Sequence, residues 1–296
     1  MSRALVLGGG GPVGIAWEAG LLAGLAEGGI ALGAGADFIV GTSAGSVVGA
    51  LMALGRAPGE LAASIIAEES RPREIPGQVA EGRPGAPNMM LLFEKMAEAR
   101  AGVRDPEEVR AEIGAFALAA QTVPEEAFIS GFGRQLAGAG QGAWPTRPYA
   151  CTAVDALTGA FRLWDAAAGV PLSRAVASSC SVPGVFPPIT IEGRRYIDGG
   201  MRSATNADVA KGHAKTVVVA VSLGQGEVSA ALMKPLEAET QVLKDAGGEV
   251  SVITPDAASV AAFGMNLMNP RHRPAAARAG LDQGRAMAAE LSDFWG

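Results

Sequence analysis

Val40-Gly41-Thr42-Ser43-Ala44-Gly45-Ser46 is the stretch whose reading decides the fold. The apolar run Phe38-Ile39-Val40 leads into it, and small and apolar residues 44–54 lead out. That order reads as buried strand, tight turn, helix. The pattern Gly-x-Ser-x-Gly puts the serine on the turn. Glycines two before and two after it remove the Cβ atoms that would clash where strand folds back on helix. The hydroxyl is then held out at the sheet edge, with the N-terminal, positive end of the helix dipole facing it. This is the geometry of a nucleophilic serine. The bland alternative is a Ser/Gly turn that merely joins two elements; a strand and a helix on the correct sides favour the nucleophile.

Upstream, Ala4-Leu5-Val6-Leu7 reads as a short buried parallel strand. It ends in Gly8-Gly9-Gly10-Gly11-Pro12-Val13-Gly14, after which Ile15, Leu21, Leu22 and Leu25 set a helical pattern that stops at Gly28-Gly29. Four consecutive glycines between strand and helix can turn sharply and present N–H groups outward. Two chemistries want that: an oxyanion hole and a phosphate cradle. Gly9, Gly11 and Gly14 also satisfy the dinucleotide pattern G-x-G-x-x-G, with Asp37 downstream. Asp37, however, stands before the second apolar run, not at its end where a ribose-binding carboxylate belongs.

Composition narrows the class. Of 296 residues, 49% are hydrophobic and 18% charged, so the chain folds around a substantial core. With 24 basic against 30 acidic residues and no basic tract, a nucleic-acid footprint is absent, and strong electrostatic docking on anionic membranes is disfavoured. Two cysteines, Cys151 and Cys180, make neither a disulfide framework nor a zinc site. No apolar stretch approaches the ~20 residues of a membrane span, and the N-terminal run is too short for a signal peptide, so a soluble, cytoplasmic protein is expected.

The rest of the chain alternates strand and helix signals. Residues 60–69 read as a helix and residues 71–88, with four prolines, as an irregular loop. Helices are expected at 89–101, from Asp105-Pro106-Glu107-Glu108, where a capping Asp precedes Pro at the first position, and from Pro124 to about residue 136. Residues of about 56–140 thus form a helical insertion. Its Met89, Leu92, Phe93 and Met96 face suits core packing, or, in a sharper reading, a lid or acyl-chain groove. Strands follow at 148–154 and 160–164, then a helix at 172–179. A hairpin around Glu192-Gly193 delivers Asp198-Gly199-Gly200. Strands at 216–223 and 250–254 and helices at 255–267 and 274–291 complete the chain. No linker separates a second domain, so one domain over 1–296 is expected, of α/β class with a mainly parallel sheet and a C-terminal helical segment at about 255–296.

A serine hydroxyl needs a base within hydrogen-bond reach. The two histidines, His213 and His272, sit in polar loop sequences, the second between Arg271 and Arg273. Asp198, after a strand and before two glycines, is the remaining candidate, though an Asp-Gly turn alone is common. Together, Gly9-Gly10-Gly11-Pro12-Val13-Gly14, Gly41-Thr42-Ser43-Ala44-Gly45, Ala177-Ser178-Ser179-Cys180-Ser181-Val182-Pro183-Gly184 and Asp198-Gly199-Gly200 resemble, in order and spacing, the patatin-like phospholipase family (bacterial type). The resemblance spans roughly residues 4–223. It implies a three-layer α/β/α fold and a Ser–Asp dyad hydrolase cleaving acyl esters of lipids through an acyl-enzyme. Ser43 matches its nucleophile, Asp198 its partner, and Gly9, Gly10 and Gly11 its oxyanion loop. The resemblance implies no metal and no organic cofactor, a lipid or acyl ester as substrate, and transient contact with a membrane or micelle surface. Nothing in it fixes oligomeric state. The family pattern carries Arg or Lys before the last glycine of the first motif, where Val13 stands here. Three rivals remain: a Ser43–Asp198–His213 or His272 triad of α/β-hydrolase type, a nucleotide-binding protein using Gly9–Gly14 as a phosphate loop, and a pseudoenzyme that binds lipid.

Overall fold

The computed structural model describes residues 1–70, 95, 98, 104–137, 143–222, 227–264 and 266–296. In chain order its elements are β1 (Arg3–Leu7), α1 (Gly11–Glu27), α2 (Leu32–Gly35), β2 (Phe38–Gly41), α3 (Ala44–Ala53), α4 (Pro58–Ile66), α5 (Pro106–Ala119), α6 (Glu125–Leu136), β3 (Tyr149–Asp155), β4 (Phe161–Trp164), α7 (Leu172–Ser179), β5 (Ile189–Ile191), β6 (Arg194–Asp198), β7 (Lys215–Val219), α8 (Glu227–Asp245), β8 (Glu249–Ile253), α9 (Ala257–Phe263) and α10 (Arg273–Trp295). They fall into two units. The first holds Met1–Arg71, Pro145–Ala150 and Ala204–Gly296; the second holds Pro72–Trp144 and Cys151–Ser203.

In the first unit, β1, β2 and β7 carry buried apolar runs at Ala4–Leu7, Ile39–Val40 and Val217–Val219, as strands covered on both faces require. They pair in parallel in the order β2-β1-β7-β8. Register places Leu7 opposite both Gly41 and Val219, so the C-terminal ends of three strands meet at one edge. Ligands of open parallel sheets bind at that edge. The outermost strand, β8, is half-solvated, with Val252 exposed.

Helix α1 packs on α3, α4 and α10. Its contact with α10 is made backbone to backbone. A Cβ on Gly20 or Gly24 would overlap the carbonyls of Ala277 and Leu281, and one on Gly280 or Gly284 those of Trp17 and Leu21. Glycines four apart on both helices form one flat stripe each, which lets the axes approach closely. Trp17 is locked beside this seam, its Nε1–H donating to Gln283 Oε1 (3.0 Å) and Ser259 Oγ (3.2 Å).

The second unit is antiparallel. β3 pairs with β4 and β6, and β6 with β5. Its core gathers Ile113, Ala117, Val154, Ala156, Ile197 and Met201. Asp105 caps α5 by accepting from Glu107 N–H (2.8 Å), as its sequence predicts. Arg110 Nε donates to the Gly159 carbonyl (2.7 Å) and ties that helix to the β3–β4 turn.

Several boundaries moved. The first helix begins at Gly11, inside the glycine run. The strand expected to reach residue 223 ends at Val219. The helix expected over 255–267 shortens to α9, capped by Asp256 and ended at Gly264, whose φ of 67° is left-handed. Helix α8 was not expected: Pro235 lies inside it, and a proline argues against a helix interior. The loop expected at 71–88 lies outside the described residues, as does the helix at 89–101 apart from residues 95 and 98. Among the described residues no helix is long and apolar enough to cross a membrane.

Candidate active site

At the end of β2 the chain turns through Ser43, whose φ of 52° and ψ of −115° put a non-glycine residue in a region that side chains rarely adopt. Such a conformation costs about 1–3 kcal/mol and persists only where its surroundings over-determine it. Here they do. A Cβ at Gly41 or Gly45 would overlap the Gly45 or Leu7 carbonyl, respectively. Thr42 N–H donates to Leu7 O (3.0 Å), and Gly45 N–H to Gly8 O (2.9 Å) and Thr42 O (3.0 Å). Ser46 donates to the Ser43 carbonyl through N–H (2.9 Å) and Oγ (2.6 Å), and Tyr149 hydroxyl donates to Ser46 O (2.6 Å). The serine is therefore clamped by backbone on both sides and only 8% exposed.

The glycine run folds against it. Gly8 N–H donates to Val219 O (2.9 Å) and Gly9 N–H to Ala204 O (2.7 Å). A Cβ at Gly9 would lie 3.3 Å from Ser43 Cβ, so the loop passes directly beside the serine. Gly9's own amide is thus engaged. Among the described residues, the N–H groups of Gly10 and Gly11 have no acceptor.

Two groups of residues at this place escape the motifs. Beneath the elbow, Asn206 (φ 50°) donates through Nδ2 to Thr42 Oγ1 (3.0 Å), which donates to Thr205 O (3.3 Å). Glu239 Oε2, on α8, accepts from Thr205 Oγ1 (2.7 Å) and Ala207 N–H (2.7 Å). All four side chains are buried. Over the glycine run, Val13 N–H donates to Leu267 O (3.2 Å), and Met268 sulfur packs at Gly11. Arg273 grips Glu68 with Nε and Nη2 (both 3.0 Å) and donates from Nη1 to the Pro12 carbonyl (3.2 Å). A cation therefore does stand at the start of α1, supplied from the C-terminal segment and not from position 13. The one sequence signal for it is negative: an apolar Val13 where a cation is usual.

Asp198 ends β6 in the second unit and is 2% exposed. Its N–H donates to Ser181 O (3.0 Å), and its Oδ1 accepts from Gly200 N–H (2.7 Å), capping the 3₁₀ turn Gly199–Met201. A Cβ at Gly199 would overlap Thr152 Oγ1 on β3, which is why glycine follows the aspartate. The Val182–Pro188 stretch is fixed by the Ser181 hydroxyl donating to the Pro187 carbonyl.

The other sequence candidates make different contacts. His213 stacks on Phe38 (5.4 Å) with Nδ1 at Ala210 O (2.8 Å). Phe38 opens β2 and Ser43 follows its other end, so at about 3.3 Å per residue the imidazole is more than about 10 Å from the hydroxyl. His272 packs at Gly264. Asp37 Oδ2 accepts from Arg3 N–H (2.8 Å) at the start of β1, about 15 Å of strand from the glycine run, so it cannot serve a ribose bound there. Among the described residues no group of three or more His, Cys, Asp or Glu side chains could hold a metal ion.

No curated protein sequence matches the chain. Among solved structures it is similar to VipD from Legionella pneumophila, at 15% identity over 98% of this chain and 67% of that one, with a TM-score of 0.46. It is similar to the type III effector protein ExoU at 15% identity, over 98% of this chain and 53% of that one, with a TM-score of 0.41. The family model described as Patatin-like phospholipase matches residues 5–211, more than two thirds of the chain. The chain therefore belongs to the patatin-like phospholipase family, a family of lipid acyl hydrolases.

Proposed function

We propose that this chain, acting as one hydrolase domain, cleaves acyl esters of lipids through Ser43 and Asp198. The observation that carries the reading is the backbone of Ser43: a buried serine in a strained turn, at the C-terminal edge of a parallel sheet, with a glycine loop beside it. Strain of this kind is retained where a hydroxyl must be presented. Asp198 accepts the proton as Ser43 Oγ attacks the ester carbonyl, and the alcohol leaves with that proton. The acyl-Ser43 ester is then hydrolysed by water, with Asp198 as base. The amides of Gly10 and Gly11 hold the oxyanion, each contributing roughly 10²–10³ in rate. Gly9, with its amide on Ala204, instead lets the loop approach Ser43. No step needs a metal or an organic cofactor. Arg273, bound to Glu68 and Pro12, holds the first turn of α1 and so the loop. Substrate reaches the site by transient contact with a membrane or micelle surface.

The test is hydrolysis of a panel of p-nitrophenyl acyl esters and phospholipid vesicles, together with fluorophosphonate labelling. Turnover and labelling are expected in the wild type, with both lost in Ser43→Ala. Ester turnover that survives Ser43→Ala would sink the reading.

A further inference from the structure

Glu18 has no part in the mechanism above, yet it is the most deeply buried acid of the described residues. It is 0% exposed on α1, and neither carboxyl oxygen has a hydrogen-bond partner among the described residues. A carboxylate in such a place would be an uncompensated charge, which proteins avoid by protonating the group. Burial accordingly pushes the Glu18 carboxyl well above the usual carboxylate range, opposed in part by the Gly8 N–H. That N–H already gives its hydrogen to Val219 O.

Position gives the group its meaning. Gly11, Gly14 and Glu18 lie on one stripe of α1. A Cβ at Gly14 would sit 3.4 Å from Val221 Cγ2 and 3.5 Å from Ala44 Cβ, so this stripe faces the elbow helix and the segment after β7. Gly8, whose N–H acts on the Glu18 carboxyl, is the residue that joins loop to elbow: its carbonyl accepts from Gly45 N–H. A charge at Glu18 would therefore act on the loop whose Gly10 and Gly11 amides, in the reading above, stabilise a negative oxygen.

Among the described residues no cation pairs with Glu18. Helices α2 and α3 carry no titratable side chain, and α4 brings only Glu60. On α10, Arg273 is bound to Glu68, Arg278 to Glu69, and Arg285 to Glu27 and Asp282, while Glu290 and Asp293 complete its charges. The turn Pro270–His272 adds Arg271 and His272. Among the described residues none of these side chains makes a hydrogen bond or ion pair with Glu18.

We propose that Glu18 is a positioning residue that supports the glycine loop as a neutral acid, and that its ionisation disables the oxyanion site. This rests on the reading of Ser43 and the loop given above. The sign follows from linkage. The folded chain keeps a proton that the unfolded chain has released, so stability is full below the ordinary glutamate range and is lost as pH rises toward the folded-state value. The change is tenfold in the unfolding constant per pH unit.

The experiment compares wild type with Glu18→Gln, which keeps the shape and removes the charge. Two readouts are taken from acid to alkaline pH: denaturant unfolding, and kcat on a p-nitrophenyl ester scaled to each protein's neutral-pH rate. The wild type is expected to lose stability relative to Glu18→Gln by about tenfold per pH unit above the ordinary glutamate range, and to show an alkaline fall in kcat that the variant lacks. Parallel unfolding curves would overturn the neutral state of Glu18. Superimposable kcat profiles would overturn its catalytic consequence while leaving Ser43 as nucleophile intact. A wild type without turnover or fluorophosphonate labelling would overturn the Ser43 reading and this catalytic consequence with it, while the unfolding curves still decide the protonation state.

Discussion

The serine turn and the aspartate turn are built on opposite principles. At Val40–Ser46 a side chain is forced into a left-handed backbone by carbonyls and glycines on every side. At Asp198–Gly200 the aspartate has an ordinary φ of −51° and simply caps the 3₁₀ turn that follows it. The first region stores strain; the second relieves an orphan N–H. Under the proposed dyad a nucleophile has to be presented and a base only oriented, which fits strain at Ser43 and a simple cap at Asp198.

The largest effect that would separate them is on activity. Ser43→Ala should reduce kcat by roughly 10⁴-fold or more, measured as ester hydrolysis against the uncatalysed rate. Asp198→Asn should reduce it by roughly 10²–10⁴-fold while preserving the fold, because an amide oxygen can still accept from Gly200 N–H. Far-UV circular dichroism and kcat together check this, and an unfolded Asp198→Asn would mean the cap also needs charge. Third comes the clamp. Gly45→Ala drives a methyl into the Leu7 carbonyl and should destabilise by about 3 kcal/mol or more in urea unfolding. Arg273→Ala removes one partner of a mostly buried ion pair and should cost about 1–3 kcal/mol, with kcat falling more than KM rises. The smallest effect has the opposite sign. Ser43→Gly should stabilise the chain by about 1 kcal/mol while abolishing turnover, since glycine adopts a positive φ without penalty. A destabilised Ser43→Gly would mean the turn is not strained.

Much of this arrangement was legible in the residues. The strand, elbow and helix of residues 38–54, the Asp105 cap and the hairpin ahead of Asp198 all depend on neighbours in sequence, through periodicity, capping and turn chemistry. The C-terminal third was less legible. Helix α8 hides behind Pro235, and the roles of Leu267, Met268 and Arg273 at the glycine loop depend on contacts some 255–260 positions away in the chain. The engagement of Gly9's amide by Ala204 is likewise a long-range fact, invisible in a run of four alike residues.

The sequence by itself determined the alternation of strand and helix, the Ser43 elbow and the kind of chemistry that a buried serine on a turn can perform. Those features rest on interactions a few residues apart, which composition and spacing encode directly. Only the tertiary structure decided which glycine amides are engaged, that α10 closes on α1 through bare backbone, and that the Glu18 carboxyl lies buried without a partner among the described residues. Each of these depends on which distant atoms are brought into contact, and burial changes the cost of a charge or a missing hydrogen bond by several kcal/mol in ways no local pattern carries.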